Sequence, residues 1–362
     1  MHVDQLDTPA VLINRSVLQR NIARMQQLAD THGVQLRPHI KTHKSAVIAK
    51  LQIEAGATGI TVATLSEAEI MAQHGISDIF VAYPIVGAVK AERLRGLLRT
   101  FPKVKWRFTI DSLTGAYWLS HAVPKNHQLD VVIEVDTGME RCGVSGLEQA
   151  RLLANACDRF EALRLVGVMT HAGHAHDVKP LEIENIAHAE TIQLSHIADS
   201  LRGEGYAIQV VSAGSTLTSV GAVEKSGLTE IRPGTYVFND LRTEELNVCD
   251  RGDIAGTILT TVVSRPTATR LIVDAGSKTL TPTSVPLFDF GRATQFSDLR
   301  VVRLSEEHGV CSVSPENPLR VGDRIELLPI HICVVINMQC EVYLVEGESV
   351  TPVAIDAHLA SR

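Results

Sequence analysis

Between Gln35 and about residue 240, short and nearly unbroken apolar runs alternate with longer stretches in which apolar residues recur every three or four positions. The short runs are Gln35–Ile40, Gly59–Ala63, Asp78–Ala82, Val104–Ile110, Leu129–Val135, Leu163–Met169, Ala207–Ser212 and Glu230–Phe238. The longer stretches include Ser66–His74, Val89–Leu98, Gly146–Ala156 and Ile183–Arg202. Runs such as VVIEV and IFVA are nearly continuous in apolar residues, as strands covered on both faces should be. Strands separated by helices predict a parallel sheet, because parallel neighbours need a crossover. Eight such units within about 200 residues predict a closed (β/α)₈ TIM barrel, here over residues 11–244. An open doubly wound sheet is the alternative.

Beyond residue 245 the pattern changes. Gly256–Val263, Thr269–Val273, Val301–Leu304, Arg324–Leu328, His331–Ile336 and Val342–Val345 are short, β-rich and have few helical stretches between them. They predict a second, mainly β domain over residues 245–362, with residues 1–10 as a candidate pairing strand. Of the 362 residues, 45% are hydrophobic, enough for a large core. The net charge of -7 and the absence of any basic run argue against nucleic acid or an anionic membrane as partner. No run of 18 apolar residues occurs and no secretory leader is recognisable. The six cysteines are scattered without a CxxC, as free thiols of a reducing compartment would be. A cytoplasmic location is the expectation.

In such barrels chemistry sits where the strands end. The first strand runs into Arg37-Pro38-His39-Ile40-Lys41-Thr42-His43-Lys44. If it continues that far, alternation puts His39, Lys41 and His43 on one face. An inward lysine is costly unless it is neutralised, and the same cost makes it a nucleophile able to form a Schiff base. A rim lysine paired with an acid is the plain alternative. The fifth strand ends in Asp136-Thr137-Gly138-Met139-Glu140-Arg141-Cys142-Gly143, where Arg141 could meet an anionic oxygen or form a salt bridge. The sixth ends in Thr170-His171-Ala172-Gly173-His174-Ala175-His176, whose histidines could bind metal or contact a cofactor. Gly214-Ser215-Thr216 and Arg232-Pro233-Gly234-Thr235-Tyr236 follow the last two strands, where barrels often hold a phosphate. G-x-G-x-x-G is absent, and Asp274-Ala275-Gly276-Ser277-Lys278 lacks P-loop spacing.

Taken in order, RPHIKTHK, EVDTGMERCGV, THAGH, SAGST, EIRPGTY, VDAGSK, EEHG and LPIHIC resemble the D-serine dehydratase / D-threonine aldolase branch of alanine-racemase-like, fold type III pyridoxal 5′-phosphate (PLP) enzymes. The resemblance runs from Asp7-Thr8-Pro9 to residue 340. It implies that Lys41 is the Schiff-base lysine and that Arg141 and His171 lie beside the cofactor ring. It implies that Gly214, Ser215 and Thr216, with Gly234 and Tyr236, cradle the phosphate. It also implies that His331 and Cys333 hold a divalent metal, zinc foremost, with manganese or magnesium as alternatives. Independently, two ligand-type residues two apart in an apolar β-run would share a face. A catalytic zinc usually has three protein ligands, so a third group or water is needed.

Two positions depart from the family. His176 stands where Tyr is usual, and the aldolases commonly have H-x-D where this chain has His331-Ile332-Cys333. The resemblance therefore implies a lyase on D-β-hydroxy amino acids, D-serine dehydratase before D-threonine aldolase. Lys41 would be the base for the α-proton, and His331 would act through its metal on the β-hydroxyl. A racemase and a non-catalytic PLP carrier are the weaker readings. A homodimer is implied.

Overall fold

The computed structural model describes residues 1–125, 127–280 and 289–362. In chain order, its first elements are β1 (Ala10–Asn14), α1 (Arg15–Thr31), β2 (Gln35–Leu36), α2 (Ala46–Glu54), β3 (Ile60–Val62), α3 (Leu65–Gln73), β4 (Asp78–Val81), α4 (Ala88–Thr100) and β5 (Lys105–Ile110). There follow α5 (Leu113–Ala122), β6 (Leu129–Glu134), α6 (Gly146–Cys157), β7 (Leu163–Met169), α7 (Pro180–Gly203), β8 (Val210–Ala213), α8 (Ser219–Val223), β9 (Glu230–Ile231) and α9 (Leu241–Glu245). The last are β10 (Gly256–Thr267), β11 (Arg270–Val273), β12 (Gly291–Ala293), β13 (Arg300–Leu304), β14 (Gly309–Ser312), β15 (Arg324–Pro329), α10 (Ile332–Asn337), β16 (Glu341–Glu346) and β17 (Ser349–Ala354). The chain divides into two compact units. One comprises Met1–Arg24, Thr42–Val47 and Thr235–Leu359; the other comprises Met25–Lys41, Ile48–Gly234 and Ala360–Arg362.

In the second of these units, the described residues form an eight-stranded parallel sheet in the order β2-β9-β8-β7-β6-β5-β4-β3. Its two ends meet. His39 bridges Thr61, the Thr61 N–H donates to the Pro38 carbonyl (2.8 Å), and the Thr58 N–H donates to the Leu36 carbonyl (2.9 Å). The sheet is therefore the predicted (β/α)₈ barrel. The central strands are buried along almost their whole length, as their apolar runs require. Phe80, Val132, Val166 and Met169 form one patch of this core.

A polar lattice crosses the same unit. Buried Glu230 accepts from Arg37 Nε (2.6 Å), Arg107 Nη1 (3.1 Å) and the Ser212 hydroxyl (2.7 Å). Burial alone would raise the Glu230 pKa, but the Arg37 and Arg107 guanidiniums overcome it and hold the carboxyl at about 2. Arg232 donates to the Ser212 hydroxyl and, at 2.6 Å, to the Thr170 carbonyl.

The other unit is built on antiparallel pairing. β10, β11, β14, β13, β12 and β15 close into a six-stranded ring. β10 is twelve residues long and bulged between Val262 and Ser264, which lets one strand serve several neighbours. β1 adds to β10, β16 pairs parallel with β1, and β17 closes on β16. The N-terminus joins this sheet as expected: the Val3 N–H donates to the Glu348 carbonyl, and the Val350 N–H to that of Met1.

VDAGSK and EEHG are structural partners here. A Cβ on Gly276 would lie 2.3 Å from the Glu306 carbonyl oxygen, and the Lys278 ammonium sits 2.6 Å from Glu307. Asp274 anchors Thr8 and the Thr261 N–H.

One expected strand is a helix. His331–Ile336 was read as β, yet His331 is the N-cap residue of α10 and Cys333 lies in its first turn. A short apolar run does not discriminate between the two states. What decides it is the helical spacing of buried Ile332, Val335 and Ile336, together with an acceptor for a first-turn N–H: Asp240 Oδ2 takes the Ile332 N–H at 3.2 Å. His331 and Cys333 therefore lie at a helix start and not two apart along a strand.

Candidate active site

Lys41 also departs from the strand geometry. β2 stops at Leu36, two residues before Pro38, which has no N–H to pair. Lys41 then lies in the 3₁₀ turn Ile40–Thr42, with an exposed side chain and its N–H 3.4 Å from His39 Nδ1. Burial of an inward strand lysine is thus not what sets its chemistry. His171, just past β7, has a pKa well below the ordinary imidazole value, first through burial and then through the charges of Lys41, Arg141 and Arg232. Those four side chains gather where the barrel strands end. A neutral His171 is available as a flat contact or hydrogen-bond partner.

Arg141 lies on the loop after β6. That loop is closed by Val144 N–H to the Glu134 carbonyl and by Asp136 Oδ1, which accepts from Gly138 (2.9 Å) and Glu140 (3.1 Å). Gly143, at φ +113°, has no room for a Cβ, which would sit 2.6 Å from the Asp136 nitrogen. The Arg141 side chain is half exposed, with its guanidinium 4.0 Å from Glu134, leaving its donors available to an anion.

Gly214, Ser215 and Thr216 follow β8, and Gly234 follows β9. They come together: the Gly234 N–H donates to Thr216 Oγ1 at 3.2 Å. Gly214 has φ +76°, and a Cβ there would approach Ile231 Cγ2 to 3.0 Å. Ser215 N–H donates to Thr218 Oγ1 at 2.9 Å. A tight glycine turn edged by three hydroxyls matches what a phosphate requires. Tyr236 is buried in the adjoining turn Thr235–Val237.

In the other unit, His331 and Cys333 interact directly. Burial opposes charge on both, but each stabilises the other's ion. His331 rises to about 11 through Cys333 and Asp240, and the Cys333 thiol is held down by His331 and by the Thr42 and Thr235 hydroxyls. Those hydroxyl oxygens lie 3.3 and 3.5 Å from the sulfur. A thiolate beside an imidazole is the donor pair that a soft or borderline divalent ion prefers. Among the described residues, no third His, Cys, Asp or Glu joins them within reach of one ion. Asp240 instead faces His331 Nδ1 at 3.5 Å, as an orienting group. Such a pair fits a catalytic metal with open positions. Among the described residues, His171, His174 and His176 do not form a three-ligand cluster.

Asp240, Thr42 and Thr235 were not anticipated as site residues. The cap signal Asp240-x-x-Thr243 was available: Asp240 Oδ1 accepts the Thr243 N–H at 3.0 Å.

Residues 13–241 match the alanine racemase N-terminal domain, and residues 255–345 match a putative serine dehydratase domain. The chain belongs to the D-serine dehydratase / D-threonine aldolase family of alanine-racemase-like, fold type III PLP enzymes. It is a PLP-dependent lyase. D-threo-3-hydroxyaspartate dehydratase of Delftia sp. (strain HT23) is 36% identical, with 91% of each chain covered. D-threonine aldolase of Arthrobacter sp. is 31% identical, over 92% of this chain and 88% of that one. The solved D-threonine aldolase of Filomicrobium marinum superposes with a TM-score of 0.90 at 27% identity, covering 99% and 98%. A mutant of the Delftia enzyme is described as being in the metal-free form, so a metal belongs to that relative. No helix among the described residues is long and apolar enough to cross a membrane.

Proposed function

We propose that this protein is a divalent-metal-dependent dehydratase of D-β-hydroxy amino acids, releasing a 2-oxo acid and ammonia. The observation that supports it most is the His331–Cys333 pair, an imidazole and a thiol side by side with Asp240 behind the imidazole, a donor set that a divalent ion would hold by displacing the imidazole proton. Bound PLP supplies the electron sink that lets a bond at Cα break. Lys41 holds the cofactor and, once released, takes the α-proton onto Nζ. Arg141 neutralises an anionic oxygen, and neutral His171 lines the ring. The Gly214–Thr216 loop and Gly234 hold the phosphate, and Tyr236 is a further candidate for that role. His331 and Cys333 would hold the metal, zinc before manganese or magnesium, which would act on the β-hydroxyl as a Lewis acid. The protein would work in the cytoplasm as a homodimer, without nucleic-acid or membrane partners.

D-Serine is the first substrate to test, with D-threo-3-hydroxyaspartate, named by the Delftia relative, beside it. A panel of D-β-hydroxy amino acids, with and without divalent metal, separates the readings. A 2-oxo acid and ammonia, lost with a chelator or in His331→Ala, support the dehydratase. Glycine and an aldehyde would establish the aldolase, the activity named for the Arthrobacter relative. Turnover indifferent to metal would remove the role of His331 and Cys333.

A further inference from the structure

The buried face of α7 runs Ile183, Ala187, Glu190, Thr191, Leu194, Ile197, Ala198 and Leu201. Glu190 occupies a core position in that stripe, 1% exposed. An ionised carboxylate there costs far more than a leucine would, so packing alone gives no reason for it. Neither carboxyl oxygen closes a full hydrogen bond. Three donors face it nonetheless: the Thr218 hydroxyl and the backbone N–H groups of Gly214 and Ala172. Gly214 opens the proposed phosphate loop. Thr218 anchors it, lying 2.9 Å from the Ser215 nitrogen and 3.2 Å from its hydroxyl. Ala172 follows His171 directly. One buried carboxyl thus faces the undersides of two loops that carry site residues.

We propose that Glu190 is a positioning residue for the phosphate loop, holding Gly214 and Thr218 in register in its uncharged, protonated form. This deepens the reading of Gly214–Thr216 as the phosphate cradle and rests on it. A phosphate monoester carries up to two negative charges, and a second anion beneath its loop would repel it. Burial raises the Glu190 pKa to about 7, against the pull of Thr218 and Arg232.

The groups around it are accounted for. Arg232, beyond β9, is the charged neighbour acting on Glu190, while the β7, β8 and α8 ends bring the uncharged Ala172, Gly214 and Thr218. α6 buries Ala150, Leu153, Ala154 and the Cys157 thiol, neutral with a pKa of about 12. α8 buries Ser219, Ala222 and Val223. The Gly173–His176 turn carries His174 and His176, and Glu184 and His188 of α7 meet Glu224 at the end of α8.

The test titrates cofactor-free protein with PLP and, separately, with pyridoxal, which lacks the phosphate, following cofactor absorbance. Glu190→Leu should weaken PLP binding tenfold or more and leave pyridoxal unaffected. Glu190→Gln should bind PLP like the wild type at pH 6. At pH 8.5 the wild type should fall about 30-fold behind it, as ionisation with a pKa of about 7 dictates. The ratio between variants cancels the titration of the phosphate and of Lys41. Equal pH dependence in wild type and Glu190→Gln overturns the proposal, and decides alone if Glu190→Leu does not fold. An equal loss of pyridoxal in Glu190→Leu also overturns it. A wild type that binds pyridoxal as tightly as PLP overturns the phosphate-cradle reading itself. A wild type that prefers PLP while both variants match it overturns only the role of Glu190.

Discussion

Asp240 Oδ2 lies 3.5 Å from His331 Nδ1 while accepting the Ile332 N–H at 3.2 Å. Its other oxygen caps α9 through the Thr243 N–H. One buried carboxylate therefore sets two helix starts and the orientation of an imidazole. A hydrogen bond from Nδ1 would leave Nε2 as the nitrogen open to the proposed metal and would raise its basicity.

Asp240→Asn keeps the shape and one acceptor but removes the charge. Metal affinity, measured by competition with a chromogenic chelator, should fall about 10- to 100-fold. Cofactor absorbance should not change, because no PLP contact is altered. An unchanged metal affinity would show that Asp240 serves α9 and α10 alone.

Lys41→Ala should abolish covalent cofactor attachment, read as loss of the protein-bound PLP absorbance. The side chain is exposed on a turn, so the cofactor-free variant should unfold within about 0.5 kcal/mol of cofactor-free wild type. A large destabilisation would point to a structural role instead.

The barrel was legible because its signal is carried by the core. β7 spans Leu163–Met169, as its apolar run predicts, and α6 begins at Gly146 as expected. The strand ends were not. β9 stops at Ile231, since Arg232-Pro233-Gly234 cannot continue a ladder. β2 stops before Pro38, so Lys41 turns outward where alternation would have sent it in. His331–Ile336 is apolar enough for either state, and the choice of helix depends on Asp240, ninety residues away in sequence. The candidate PLP residues on the barrel loops came from ordered motifs and not from spacing, because loop geometry leaves no period. Glu190 was visible in principle as an acid within the apolar stripe from Ile183 to Leu201, but only once that stripe is known to face inward.

Glu230 should govern acid stability. In the unfolded chain it titrates near 4.5, and in the fold at about 2, held down by Arg37 and Arg107. Its contribution is complete above pH 4.5 and declines as pH falls towards 2, by about 3 kcal/mol in total. Glu230→Gln removes the carboxylate that Arg37, 3% exposed, and Arg107 share, leaving Arg37 paired with Asp78. The variant should lose about 3–5 kcal/mol at pH 7. Its stability should also be flatter than the wild type's between pH 4.5 and 2, measured by urea unfolding. Parallel acid profiles would show that other carboxylates carry the dependence.

Glu190 predicts the opposite slope. Its folded pKa of about 7 lies above the ordinary 4.5, so the folded state holds this proton more tightly than the unfolded chain does. Stability from this group is highest below pH 4.5, declines as pH rises to about 7, and keeps falling until the carboxyl is fully ionised in the fold. The total is about 3 kcal/mol. Glu190→Gln cannot ionise and should remove that slope. Cofactor-free Glu190→Gln should therefore unfold at higher urea than wild type at pH 8.5, while the two converge near pH 5. The cross-over separates ionisation from packing, since a packing defect would shift the variant by the same amount at both pH values.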